Sequence, residues 1–213
     1  MRPALVLLCS PHAGGVSDML GSAFAAGLEE AGHPASRVAL REHPVLPCTG
    51  CGACSRPPHA CVLAGRDEAE WLFSRFAEAP LVVLASSIFF YALPASFKAW
   101  IDRGQRFWGA HAAAQGAEQG VPQPAAGGKP VLALLAAGRP RGEELFSGAA
   151  RTLRWFAPPL GAQLVDTRGF RGLDSPADLA RRGEVTTEVR LWGQEWGRRL
   201  GAASTNGAGA ETG

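Results

Sequence analysis

The sequence predicts an α/β fold in which a doubly wound, five-stranded parallel sheet carries helices on both faces. Two observations predict this fold. Short, continuous apolar runs such as Leu81-Val82-Val83-Leu84 are typical of strands that are covered on both faces. These runs alternate along the chain with longer segments of helical periodicity, and the order β-α-β-α-β-α-β-α-β-α is that of an open doubly wound sheet.

Each predicted element rests on its own hydrophobic pattern and boundary signals. The strands are predicted over Ala4–Cys9, Ser36–Leu40, Leu81–Ala85, Pro130–Ala136 and Gln163–Thr167. The helices are predicted over Ser17–Ala31, Asp67–Glu78, Pro94–Trp108, Gly142–Leu160 and Ala177–Leu200. Gly32 favours a stop after the first helix, whereas Asp67 and the run Asp174-Ser175-Pro176 favour helix starts.

Length and composition predict a single domain. A chain of 213 residues that is 46% hydrophobic is long enough for one sizeable core. We expect the domain that contains this core to span residues 1–200. Residues 110–128 are predicted to be a loop insertion and residues 201–213 a disordered tail. A net charge of +2 gives no electrostatic reason to expect a nucleic acid or a membrane as partner. Residues 4–8 are too short for an export signal, so we expect a cytoplasmic protein with reduced thiols.

Four cysteines are concentrated within fourteen residues, and Cys9 alone lies outside this group. The group consists of Cys48, Cys51, Cys54 and Cys61, and residues 48–61 are interpreted as one cysteine loop. Two-residue gaps let a folded loop direct three thiolates at one centre while a longer arm brings the fourth, which favours a 4Fe-4S cluster. Gly50 and Gly52 would let amide N–H groups turn toward the sulfurs. A structural zinc site, disulfides and vestigial thiols are the alternatives.

In a doubly wound sheet, ligands bind beyond the carboxyl ends of the strands. The loop from Ser10 to Ser17, after the first predicted strand, is rich in Ser and Gly and precedes a helix, so its hydroxyls and amides can surround a phosphate. It matches neither Gly-x-Gly-x-x-Gly nor a Walker loop, which favours a cofactor with a single phosphate. Ordinary turns, with Ser17 as a helix N-cap, are the alternative.

Two further loops would open on the same edge. After the third strand, Ser86 and Ser87 can meet polar ring edges or a ribityl chain, and the aromatic run 89–91 can flank a planar ring or belong to the core. After the fourth strand, Arg139 and Arg141 can contact a cofactor or an anionic substrate, or be solvated. Lys98 is predicted to pair with a carboxylate four residues on. No general acid or base stands out, since the five histidines are interpreted as turn or surface residues.

Together these residues resemble the flavodoxin-like NAD(P)H-dependent FMN reductases, and within them the iron-sulfur flavoproteins. The family's loop Gly-Ser-Pro-Arg-x-x-Gly-Asn-Thr is similar to residues 10–17, with His12 in place of Arg and Val16 in place of Asn. The family's Thr-Pro-Val-Tyr-Phe segment, followed by Leu-Lys-x-x-x-Asp-Arg, is similar to residues 86–90 and 97–103. The cysteine group is the feature that is similar to the iron-sulfur branch.

The resemblance implies a strand order of 2-1-3-4-5 and a set of cofactor sites. FMN would contact Ser10, His12, Gly15, Val16, Ser17, Ser86, Ser87, Ile88, Phe89, Phe90, Gly138 and Arg139. A 4Fe-4S cluster would be held by Cys48, Cys51, Cys54 and Cys61, on the edge that holds FMN. Relatives of this kind form homodimers or homotetramers, to which an exposed aromatic such as Trp108 would contribute.

The function expected from these features is an oxidoreductase. It would pass electrons between a reduced donor, either NAD(P)H or a protein such as ferredoxin, and an unknown acceptor. One alternative is an NAD(P)H-dependent FMN or quinone reductase that has the cysteines but no cluster. Another alternative is a redox carrier or sensor without catalytic turnover.

Overall fold

The computed structural model of the chain describes residues 1–115 and 127–208. Its five strands are β1 (Ala4–Leu8), β2 (Ala35–Ala39), β3 (Val82–Ser87), β4 (Lys129–Ala137) and β5 (Ala162–Arg171). They form one fully parallel sheet with the strand order β2-β1-β3-β4-β5. The predicted fold and strand order are therefore confirmed.

Helices cover both faces of the sheet because successive strand residues point to opposite sides. The helices are α1 (Val16–Glu30), α2 (Ala69–Glu78), α3 (Ala95–Arg103), α4 (Gln105–Gln115), α5 (Ser147–Phe156), α6 (Pro176–Ala180) and α7 (Gly183–Ala208). Val82 and Leu84 pack toward α2, α3 and α5, whereas Leu81 and Val83 pack toward α1, α6 and α7.

Two glycines allow α1 and α7 to cross closely. A Cβ atom at Gly27 would lie less than 3.0 Å from three backbone atoms of α7, and one at Gly193 would collide with the backbone of Phe24. Phe24 in turn meets the Trp192 ring edge-on, with ring centroids 5.1 Å apart. This crossing fixes the first helix, whose N-terminus lies at the ligand-binding edge of the sheet.

Three helical predictions were wrong in detail. The segment predicted as Pro94–Trp108 divides at Gly104 into α3 and α4, because Gly104 N–H turns back to Ile101 O. The segment Ala177–Leu200 divides into α6 and α7, and Gly142–Leu160 shortens to α5 followed by a 3-10 turn. The periodic patterns ran through these breaks, so the breaks could not be seen in them.

The chain end is described only in part. α7 continues to Ala208, and the disordered tail over residues 201–213 stays a prediction. The rest of the predicted tail, residues 209–213, lies outside the described residues, as do residues 116–126 of the predicted insertion. Over the two described ranges, no helix combines the length and apolar character needed to cross a membrane.

Candidate functional site

A cavity of about 460 Å³ lies beyond the carboxyl ends of β1, β3, β4 and β5. This volume is in the range of cofactor pockets. Nine of the twelve predicted FMN contacts line it, and the other three, Ser86, Phe90 and Arg139, do not. The lining residues are Ser10, His12, Ala13, Gly14, Gly15, Val16, Ser17, Ser87, Ile88, Phe89, Ala136, Gly138, Leu173, Asp174, Ser175 and Pro176.

The loop between β1 and α1 presents an open helix N-terminus to this cavity. Gly14 has a φ of +67°, and the N-cap residue Gly15 has no side chain that could occupy the first amides of α1. These amides have no intrahelical acceptors, so they and the positive end of the helix dipole favour an anion. Ser10 Oγ accepts a hydrogen bond from His12 N–H at 3.2 Å, which tightens the loop.

An ion pair braces this loop from outside. Asp18, in the first turn of α1, accepts a hydrogen bond from Gly14 N–H at 2.9 Å. Its carboxylate also pairs with Arg41, with Nη2 at 2.9 Å from Oδ2, and Arg41 Nη1 reaches Ser10 O at 3.4 Å. The guanidinium therefore neutralises a carboxylate that would otherwise repel a phosphate in the loop. Sequence reasoning missed Arg41, which lies 23 residues from its partner.

The end of β3 contributes an unsatisfied hydroxyl. Ser86 is fully buried behind the cavity, and its hydroxyl donates to Ser87 O at 2.9 Å. Ser87 lines the cavity, yet its buried Oγ has no hydrogen-bond partner among the described residues. Buried polar atoms of this kind are rare, and a bound ligand would supply the missing partner. The Ser87 hydroxyl is thus placed to meet a polar edge of a cofactor.

A tight turn follows at the mouth of the cavity. Phe89 and Ala92 exchange two backbone hydrogen bonds of 3.0 and 2.9 Å, and Phe90 and Tyr91 between them have φ values of +49° and +63°. This is a type I′ geometry that favours Asn and Gly, so two aromatic residues there store roughly 1–3 kcal/mol of strain each. Phe90 is fully exposed, which is why it does not line the cavity as predicted.

The loops after β4 and β5 form the remaining wall. Asp174 packs against Gly138, where a Cβ atom would lie 2.8 Å from the Asp174 Cβ. Ser175 caps α6 through a capping box with Asp178, as its start signal predicted. Sequence reasoning recognised residues 174–176 only as a helix start. Their position at the carboxyl edge was the signal that could have added them to the site.

The arrangement fits FMN. An open helix N-terminus can bind a terminal phosphate, and the orphaned Ser87 hydroxyl lies at the neighbouring strand end, where the polar parts of a flavin would find a donor and acceptor. Ile88 and Phe89 supply apolar lining between these two polar regions. The residues present can therefore satisfy both the charged and the uncharged portions of the cofactor.

The four clustered cysteines lie in an irregular segment that contains one short 3-10 turn, Ala53–Ser55. Cys48 and Cys51 are exposed, and all four thiols are free. Ala53 N–H and Thr49 lower the pKa of Cys51 by hydrogen bonding. Partial burial and, to a smaller extent, the charges of the other three thiolates raise the pKa of Cys54. Gly50 and Gly52 have φ values of +68° and +70°, as their predicted role required.

The structure gives no support for the predicted metal centre in this segment. Within residues 1–115 and 127–208, no three His, Cys, Asp or Glu side chains are close enough together to hold a metal ion. The 4Fe-4S site at Cys48, Cys51, Cys54 and Cys61 is therefore not supported by the structure. Cys48 and Cys51 are exposed, whereas Cys54 and Cys61 are partly buried.

A buried ion pair joins the two ends of this segment. Asp67 accepts hydrogen bonds from Leu46 N–H at 2.7 Å and Ala69 N–H at 3.1 Å, and it pairs with Arg103, which is 2% exposed. Arg103 Nη1 also donates to Leu46 O at 3.1 Å. Burial alone would lower the pKa of Arg103, but Asp67 and Cys61 outweigh it and raise that pKa. The sequence placed Arg103 only in the family segment 97–103 and did not predict its partner.

The remaining polar predictions have simple outcomes. Lys98 pairs with Asp102 on the surface of α3 at 2.5 Å, as predicted. His33 was interpreted as a turn or surface residue but is buried, and neither ring nitrogen has a partner among the described residues. Trp108 is 38% exposed and lies beside Trp155, with ring centroids 6.2 Å apart. None of these side chains reaches the cavity.

Solved structures of redox enzymes share this fold. The azoreductase from Bacillus anthracis str. Sterne has a TM-score of 0.62 at 17% identity, with 93% of this chain and all of that chain covered. The NAD(P)H:quinone oxidoreductase from Methanothermobacter marburgensis has a TM-score of 0.62 at 18% identity over 93% and 98% of the two chains. The FMN-dependent NADH-azoreductase from Bacillus anthracis str. Ames Ancestor, solved in complex with FMN, has a TM-score of 0.60 at 14% identity over 94% and 99%.

Another neighbour is longer than this chain. The flavone reductase structure has a TM-score of 0.61 at 15% identity, and the match covers 89% of this chain but 60% of that one.

The search of curated protein sequences gave no match. The sequence itself matches the NADPH-dependent FMN reductase family over residues 3–167, from β1 into β5. Since this match spans most of the chain and includes the open helix N-terminus at the cavity, the chain belongs to the NADPH-dependent FMN reductase family, whose members are NAD(P)H-dependent oxidoreductases.

Proposed function

We propose that the protein binds FMN in the 460 Å³ cavity and passes electrons from NAD(P)H to a small organic acceptor such as a quinone or an azo compound. The observation that carries this proposal is the pairing of the open N-terminus of α1 with the unsatisfied Ser87 hydroxyl on one sheet edge. The azoreductase and quinone oxidoreductase neighbours suggest the acceptor classes. This proposal corresponds to the reductase without a cluster.

The residues of the cavity would bind FMN and orient it. FMN, when bound, supplies the hydride-accepting and electron-donating chemistry. The amides at the start of α1, with Ser10 and Ser17, would hold its phosphate, and Ser87 would hydrogen-bond a polar edge. Ile88 and Phe89 would exclude water from one side of the cavity. No cavity side chain is assigned a proton-transfer step.

Calorimetry with three flavins tests the phosphate site. FMN should bind more tightly than riboflavin, which lacks the phosphate. It should also bind more tightly than FAD, in which the phosphate is linked to AMP and is no longer terminal. Replacing Ser10 and Ser17 with alanine should reduce FMN affinity roughly tenfold and leave riboflavin affinity nearly unchanged, because hydrogen bonds to a charged group are the ones lost. Ser74→Ala is the matched control, since Ser74 is an exposed serine on α2. Equal affinity of the wild type for FMN and riboflavin would contradict the phosphate site.

Turnover tests the reductase activity. The FMN-loaded protein should oxidise NADPH or NADH in the presence of menadione or an azo dye. Reduction by ferredoxin without NAD(P)H oxidation would instead support a carrier. Rapid turnover by protein that contains no iron would favour the reductase without a cluster.

We also propose a finer assignment for the cysteines, as ligands of a 4Fe-4S cluster next to FMN. Its support is the close spacing of the four cysteines, together with the positive φ of Gly50 and Gly52 between them. Anaerobic reconstitution should then give about four iron and four sulfide per chain, and serine at Cys54 should abolish this while serine at Cys9 should not. Stoichiometric zinc, or no bound metal, would refute this assignment and leave FMN binding intact.

A further inference from the structure

Two arginines beside the cavity lack carboxylate partners. Arg139 and Arg141 follow Gly138, which lines the cavity, and both side chains are exposed. Neither forms an ion pair with any carboxylate among the described residues, although Glu143 and Glu144 come soon after in the chain. Neither lines the cavity itself, but both belong to the loop that begins at the cavity-lining Gly138, so their positive charge is available beside it.

The first of these arginines is held in place. Its carbonyl accepts a hydrogen bond from Gly172 N–H at 3.3 Å, which joins the loops after β4 and β5. Its guanidinium carbon lies 5.8 Å from the centroid of the Tyr91 ring, which is a cation–π distance. The Tyr91 hydroxyl approaches the same loop, since a Cβ atom at Gly142 would be 3.2 Å from it. Arg139 and Tyr91 thus lie in contact with each other.

The aromatic turn extends this contact. Phe89 lines the cavity and is 42% exposed, and Tyr91 is 39% exposed. Phe90 and Tyr91 have positive φ values, a backbone conformation that aromatic residues rarely adopt. Strained backbone of this kind concentrates at sites where a ligand is bound. A planar ring entering the cavity would meet apolar faces on one side and guanidinium groups beside them.

We propose that Phe89, Tyr91, Arg139 and Arg141 form an anion-selective rim that binds the negatively charged group of a planar aromatic redox substrate. The inference rests on the proposed FMN-dependent reductase and names its substrate class. Guanidinium groups bind sulfonate, carboxylate and phosphate through paired N–H donors, and aromatic faces bind the attached ring. The open N-terminus of α1, deeper in the cavity, is assigned to the FMN phosphate, which leaves the rim for the anion of the substrate.

A pair of dyes that differ in one sulfonate tests this rim. Methyl orange carries the sulfonate and methyl yellow is its neutral counterpart. Binding of each dye to the FMN-loaded protein is measured by calorimetry without a reductant, and kcat/KM is then measured with NADPH. The R139Q/R141Q variant should lose about 10- to 100-fold in affinity and in kcat/KM for methyl orange, while methyl yellow changes less than about twofold.

The control and the donor provide the remaining outcomes. R151Q/R154Q removes two arginines from α5 that make no ion pair among the described residues and do not line the cavity, and it should leave both dyes unaffected. NADPH also carries an anionic group that NADH lacks, the 2′-phosphate. The rates of FMN reduction by NADPH and by NADH are therefore compared by stopped flow. A loss confined to methyl orange supports the rim as the binding site of the acceptor, whereas a loss confined to NADPH, with methyl orange unaffected, would overturn it.

Equal losses for charged and neutral dyes, or no loss for any anion, would overturn the anion-selective rim. The flavin absorbance of each variant shows whether FMN is still bound. If the wild type binds methyl orange selectively but does not oxidise NADPH or NADH, the reductase proposal fails while the rim stands. If it turns over both dyes and the variant does not discriminate between them, the rim fails while the reductase proposal stands.

Discussion

Replacing Arg41 with glutamine should weaken FMN binding more than riboflavin binding. Arg41 Nη2 lies 2.9 Å from Asp18 Oδ2, and the two side chains are 20% and 9% exposed. In R41Q the Asp18 carboxylate remains at the first turn of α1 without its counter-ion. Its charge then repels the phosphate of FMN, whereas riboflavin offers only an uncharged hydroxyl at that position.

The geometry of the pair sets the size of the effect. At the 2.9 Å separation and an effective dielectric constant of about 20, Coulomb's law gives an attraction of roughly 6 kcal/mol. Desolvation of the two partly buried charges offsets much of this attraction. We therefore expect FMN affinity to fall about 10- to 100-fold, or roughly 1.4–2.8 kcal/mol, and the free energy of unfolding to fall by about 2 kcal/mol.

Calorimetric titration of wild type, R41Q and D18N/R41Q with FMN and riboflavin measures this effect. The double variant removes the uncompensated charge, so it should recover part of the FMN affinity. R37Q is the matched control, because Arg37 also pairs with a carboxylate, Glu29, but this pair is 35% and 42% exposed and lies away from the cavity. Equal losses for FMN and riboflavin, without recovery in D18N/R41Q, would refute the electrostatic reasoning.

Two further predictions concern stability. Burial, and secondarily the charged N-terminus, lower the pKa of His33 from 6.5, so the unfolded chain binds a proton more readily than the folded chain. The free energy of unfolding should therefore fall as the pH drops from 6.5 toward that lowered pKa. H33L should flatten this dependence in urea titrations. A slope that H33L leaves unchanged would contradict the prediction. Gly27→Ala should lower the free energy of unfolding by roughly 2–4 kcal/mol because its Cβ would collide with α7, whereas Gly201→Ala, with open space around it, should raise it by about 0.5–1 kcal/mol in the same urea titration.

The sheet and the cavity loops could be predicted because their signals are local. Strands buried on both faces have continuous apolar runs, as in Leu81–Leu84, and these positions alternate between the two helical layers as expected. The loop from Ser10 to Ser17 could be placed at the ligand-binding edge because it joins a strand to a helix. Its residues line the cavity with those of the loop after β3.

The missing parts depend on contacts between distant segments. Arg103 reaches Asp67 across 36 residues, and a single sequence does not indicate which carboxylate an arginine will meet. Asp174 enters the cavity only because β5 ends beside β4. The type I′ turn escaped prediction for another reason: Phe90 and Tyr91 contradict the residue preferences by which such turns are recognised.

The contacts of Arg103 with Leu46 and Asp67 close the cysteine segment at its base. Because the buried guanidinium binds both ends, part of the free energy of closing the loop is met there, and Cys61 adds to it through its own interaction with Arg103. A change in length or sequence that stops short of Cys61 would therefore leave this closure, and the sheet behind it, in place.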